Sequence, residues 1–169
     1  MSTKPQFDPY ALLSALERQR VAYILIGGFA RIIQGTEELT DGLDLVPSLK
    51  PADLRRLSLA LDQLDARLPS GRPPTLDKDL RKHDLLELRT PAGPLKVVPE
   101  PAGTRGGYDD LRRAATREPI GKGLRPRVAS ISDLARTLAA RGRDQDKPLL
   151  QQLRHLRELE RDLGRGLSL

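Results

Sequence analysis

The stretch YILIGGFARIIQG, residues 23–35, constrains the fold more than any other part of the chain. Its first four residues are apolar and β-type, as expected of a buried strand. Gly27 and Gly28 then form a tight turn, and FARIIQG reads as a short helix stopped by Gly35. The next apolar run, LDLV at 43–46, reads as a second strand that Pro47 ends. Strand, glycine turn, helix and strand in such close succession point to a mixed α/β sheet with helices packed on it.

The remaining segments supply more helices and two further strands. DPYALLSALERQRV has Asp8 as a cap and Pro9 in the first turn, with Leu12, Leu13 and Leu16 on one face. KPADLRRLSLALDQLDARL is the clearest helix, with Leu54, Leu57, Leu61 and Leu64 at helical spacing. PSGRPPTLDKDLRKH, crowded with Pro and charge, reads as a loop. DLLELRT and LKVVP are strands joined through PAG as a hairpin. GYDDLRRAA is a short amphipathic helix, and PIGKGLRPRVAS a loop with one short strand. ISDLARTLAAR is a helix that Ser130 or Ser132 caps. KPLLQQLRHLRELERDL is a last helix, with Leu149, Leu150, Leu153, Leu156, Leu159 and Leu163 on one stripe. That stripe suits a packing face and also offers a route to an oligomer.

Composition bears on function. The chain of 169 residues carries a formal charge of +6, so polyanions are attracted to it, and nucleic acid, RNA or DNA, is the first partner to expect. The heavy excess of Arg over Lys also fits a base-composition bias. Aromatic residues are only 3%, so the core must be aliphatic and base stacking has little to work with. There is no cysteine, hence no disulfide, thiol nucleophile or thiolate metal site. His83 and His155 stand alone, which argues against zinc. No apolar run approaches a membrane span and the N-terminus lacks a signal-peptide pattern, so a cytoplasmic protein is expected.

Three segments taken in order resemble a known group. YILIGGFARIIQG…LTDGLDLV, then TPAGPLKVVPEPAGTRGGYDDL, then ISDLARTLAARGRDQD resemble the nucleotidyltransferase-fold proteins of the AbiEii and MenT-type toxin group. The resemblance runs from about residue 20 to 147. It implies a bacterial toxin–antitoxin context and a small polymerase-beta-like mixed sheet with flanking helices and a C-terminal helical segment. It places the α/β domain at residues 1–130 and C-terminal helices packed on it at 131–169. It also implies Mg²⁺ chemistry in an active member. Two acids at alternate strand positions share the metals with a third from a neighbouring strand. Glycine-turn amides at a helix N-terminus approach the phosphates.

Carried over residue by residue, the resemblance is incomplete at the metal positions. Gly27 and Gly28 match the glycine turn, Thr40 the threonine, and Asp44 the second carboxylate. Gly42 stands at the first carboxylate and Lys96 at the third. Glu38 takes a position that is usually basic, and Leu138 that of a helical lysine. Gly142, Arg143 and Asp146 match. A lone carboxylate holds Mg²⁺ poorly, and a lysine in the site repels the metal or pairs with Asp44. The expectation is a protein that has lost catalysis, with no cofactor, binding nucleic acid or a partner protein through a basic cleft rim. Lys96, Arg105, Arg112, Arg113 and Arg143 are the candidate contacts, and Gly27, Gly28 and Thr40 the phosphate-binding positions. The alternative is an active Mg²⁺-dependent transferase acting on RNA or protein. It would require a bulge at Gly42 that swings Asp41 beside Asp44, or a carboxylate from Glu37, Glu38 or Asp84. The Arg-rich segment 105–127 suits phosphate contact better than it suits a solvated loop.

Overall fold

A computed structural model describes residues 6–167, with side-chain burial described to residue 164. Six strands form one mixed sheet in the order β3-β4-β2-β1-β6-β5. The strands are β1 (Tyr23–Ile26), β2 (Leu43–Pro47), β3 (Leu86–Thr90), β4 (Gly93–Val97), β5 (Thr116–Arg117) and β6 (Arg127–Val128). The helices are α1 (Pro9–Arg18), α2 (Gly27–Gln34), α3 (Pro51–Gln63), α4 (Leu76–Lys82), α5 (Tyr108–Leu111), α6 (Ile131–Arg141) and α7 (Lys147–Leu167). No described helix is long and apolar enough to cross a membrane.

All four residues of β1 are buried, as its unbroken apolar run requires of an inner strand. It pairs antiparallel with β2 and parallel with β6. On β3 and β4 burial alternates: Leu86, Leu88, Leu95 and Val97 face the core, while Glu87, Arg89, Pro94 and Lys96 face out. Leu12, Leu16, Leu57 and Leu61 close the core from α1 and α3. Burial of each such leucine contributes about 2 kcal/mol.

Local signals act largely as their chemistry suggests. The Asp8 carboxylate accepts from the Ala11 amide at 3.1 Å, and the Ser130 hydroxyl, not that of Ser132, accepts from Asp133 at 3.0 Å. The Pro-rich segment expected to be a loop contains α4. There Asp79 accepts from the Thr75 amide at 2.7 Å and from Arg72 at 2.8 Å, tying down the helix start. Acids in the first turn and basic residues in the last suit the helix dipole. The segment PIGKGLRPRVAS contributes β6, whereas its partner β5 begins earlier, at Thr116. On α7 the leucine stripe divides. Leu153 is fully buried and Leu149, Leu150 and Leu156 pack on the core, but Leu159 and Leu163 are exposed.

Candidate functional site

The end of β1 and the start of α2 form one wall of a cleft of about 310 Å³. Gly27 adopts φ +76°, a conformation that favours glycine, and a Cβ there would collide with the Asp44 carboxylate. Asp44 therefore lies directly against the first turn of α2, whose N-cap, Ile26, supplies no side-chain hydrogen bond. A cleft at an uncapped helix start can receive an anion through free amides. Thr40 packs against Gly28, and its hydroxyl donates to the Gly42 carbonyl at 3.2 Å. Thr40 thus braces the loop into β2.

Strand register builds the cleft floor. Glu87 of β3, Lys96 of β4, Asp44 of β2 and Ile26 of β1 lie opposite one another in a row across the sheet. Directly paired residues share a face, so Lys96 and Asp44 both present to the cleft. Arg31 of α2 and Arg141 of α6 also line it. Burial raises the Asp44 pKa above the ordinary carboxylate value, and the charges of Lys96, Arg31 and Arg141 oppose that rise. Arg31 is held by Glu38 through a two-pronged ion pair with distances of 3.0 and 2.9 Å, and Thr36 donates to the same carboxylate at 2.7 Å. Glu38, standing where a base is usual, therefore positions an arginine. Burial, and then the neighbouring Arg143, lowers the pKa of Arg141.

Of the carboxylates considered for a rebuilt centre, Asp41, Glu37 and Glu38 do not line the cleft. The β2–β4 pairing is regular from Leu43 opposite Leu95 to Leu45 opposite Val97, and Asp41, just before it, is exposed outside the cleft lining. At Gly42 a Cβ would sit 3.1 Å from the Pro94 carbonyl oxygen, so β4 crowds the first-carboxylate position. Asp84 and Glu100 do line the cleft. Even so, among the described residues no three His, Asp or Glu side chains gather as a metal cluster. With Lys96 in register beside Asp44, and Arg31 and Arg141 nearby, the donor set does not fit the metal centre that the sequence resemblance implies.

The basic candidates separate in space. Lys96 lines the cleft. Arg112 and Arg113 instead line a different depression with Arg117 and Arg127. The adjoining hollow includes Val21, Ala22 and Tyr23, so this region lies at the opposite end of β1 from Gly27. A basic rim around the cleft is thus not what forms: three cations and three carboxylates share its lining. Arg105 is exposed on the loop before α5 and lines neither region. Arg143 is paired to the buried Asp146 at 3.0 Å, which ties the α6–α7 connection. Arg31 and Arg141 were missed by sequence reasoning. Arg141 had a signal, since it sits one helical turn beyond Leu138 on the same face.

No protein-family model matches the chain, and no curated protein matches it significantly. Among solved structures, it resembles the solution structure of the antibiotic-resistance factor ANT(2'')-Ia, an aminoglycoside nucleotidyltransferase. The likeness has a TM-score of 0.55 at 14% sequence identity and covers 95% of this chain and 92% of that one. The mixed sheet with its flanking helices is a nucleotidyltransferase-like fold.

Proposed function

We propose that this chain is a nucleotidyltransferase-fold protein that has lost nucleotide transfer and binds a phosphorylated nucleoside unit of a nucleic acid in the cleft. The observation that carries this reading is Lys96 in register beside Asp44, where a metal centre would require a second acid. An ammonium at this position neutralises phosphate charge without a metal, and Arg141 supplies a second cation to the cleft lining. Among the described residues, neither has a carboxylate within 4.0 Å. The start of α2 adds backbone donors, and Asp84 and Glu100 can accept from sugar or base groups.

A second reading is an active transferase of the toxin–antitoxin type, favoured by Asp44 and Asp84 lining one cleft. One pair of experiments separates the two. Protein incubated with labelled nucleoside triphosphates, Mg²⁺ or Mn²⁺ and total RNA is expected to incorporate no label. Its binding to RNA is expected to persist in EDTA and to weaken about tenfold in Lys96→Ala/Arg141→Ala, the loss of one to two charge-assisted contacts. Incorporation by the wild type that disappears in Asp44→Ala would establish the transferase instead.

A further inference from the structure

The depression at the far end of β1 carries charge of one sign only. Arg112, Arg113, Arg117 and Arg127 line a concavity of about 480 Å³, with Ala115 as its remaining lining residue. They come from three places: the turn after α5, strand β5 and strand β6. Strand pairing brings Arg117 opposite Arg127, and α5 delivers the other two beside them. No carboxylate lines the hollow. Among the described residues, the only ion pair these four make is Arg112 with Asp109 at 3.5 Å, and both partners are largely exposed. Such a pair holds little against competing anions.

The adjoining hollow extends the feature. It shares Arg117 and Arg127 and adds Arg20 and Tyr108. Its acid, Glu17, is already engaged by the Tyr23 hydroxyl at 2.7 Å. Arg127 reaches the Tyr108 hydroxyl at 3.4 Å. Nothing in the fold requires four guanidinium groups to converge on one concavity, and their mutual repulsion opposes it.

We infer that this arginine depression is a second binding site, separate from the cleft, that takes the phosphodiester backbone of a nucleic acid. Guanidinium groups on several elements around a concavity match successive phosphates, each presenting a fork of donors to phosphate oxygens. Four of the five lining residues are arginines, unlike the charge-depleted core of a protein interface. With little aromatic surface besides Tyr108, contact is to the backbone, so binding is largely independent of sequence. The cleft and the depression share no lining residue and are separated by roughly 10 Å of β1. A chain long enough to reach both would be held at two points. This inference does not depend on the proposed occupant of the cleft.

The test measures binding of a labelled 12-nucleotide RNA over a range of salt concentrations. It compares wild type, Arg113→Ala/Arg117→Ala, Arg113→Lys/Arg117→Lys and the cleft variant Lys96→Ala/Arg141→Ala. ATP binding is read in parallel as a probe too short to need the depression. Loss of two phosphate contacts is expected to weaken RNA binding about tenfold and lower the log–log salt slope by about 1.4. ATP binding should be unchanged, and the lysine variant should keep most of the slope. Unchanged RNA affinity and slope in the alanine variant, with the wild-type melting temperature, would overturn the inference. So would a wild type that binds no RNA. A cleft variant that binds RNA and ATP normally would count against the cleft reading alone.

Discussion

Replacing Gly42 by Asp puts a Cβ 3.1 Å from the Pro94 carbonyl oxygen and 3.2 Å from its Cβ, so the start of β4 must shift. Overpacking of this kind costs about 1–3 kcal/mol. Gly42→Asp should therefore lower the urea midpoint and still gain no Mg²⁺-dependent rise in stability, because Lys96 remains beside Asp44. Asp44 has the opposite character, since burial raises its pKa. A raised pKa means that the folded state binds the proton more tightly than the unfolded chain. The contribution of Asp44 to stability is greatest below its unfolded value, near 3.8, and is lost as pH rises through the higher folded value. Asp44→Asn should thus melt above wild type at pH 7, and this advantage should vanish in thermal melts taken below pH 3.8. An advantage that persisted unchanged at low pH would show that the charge of Asp44 is not its source.

Helix α4 shows how an element can arise where composition reads as loop. Pro73 and Pro74 precede it and charges fill it, yet Asp79 is buried and bonded to both the Thr75 amide and Arg72. The Arg72 hydrogen bond is the chief cause that holds the Asp79 pKa below the ordinary value. A lowered pKa gives stability that is present above the unfolded value and lost as pH falls through the folded one. Asp79→Ala should cost about 1 kcal/mol in urea unfolding at pH 7, the scale of a lost helix-start cap. The loss should shrink in strong acid, and amide exchange should quicken first in residues 76–82. At the other end of the chain, α7 follows its leucine periodicity only as far as the core reaches. Leu153 is buried, while Leu163, ten residues on, is 69% exposed.

Across the whole molecule, the readable parts are those governed by near neighbours. The apolar run of β1, the Gly27 turn, the caps at Asp8 and Ser130, and the leucine spacing of α3 carry their structure in local chemistry. The β3–β4 hairpin was legible for the same reason, since alternation and a short turn set its register. The mixed α/β sheet followed from the order of those elements, and its nucleotidyltransferase-like character from the resemblance of three segments in sequence. The candidate site was legible only in part. Asp44, Lys96 and the glycine turn do meet, because strand spacing defines which side chains share a face.

The rest depended on pairings between distant segments. Only the placement of β4 beside β2 crowds position 42 with Pro94. Packing of α6 near α2 brings Arg141 toward the cleft, which Arg31, paired with Glu38, also lines. Parallel pairing of β6 with β1 carries Arg127, together with Arg112, Arg113 and Arg117, to the end of β1 away from the cleft. Charge counts along a segment cannot reveal that separation, because which end of a strand a residue reaches is decided by the direction of its neighbour. By itself, the sequence determined strands β1 to β4 and the glycine turn, since these rest on local periodicity and backbone freedom. The tertiary structure alone decided which cations face Asp44 and which gather elsewhere, since long-range register sets those distances.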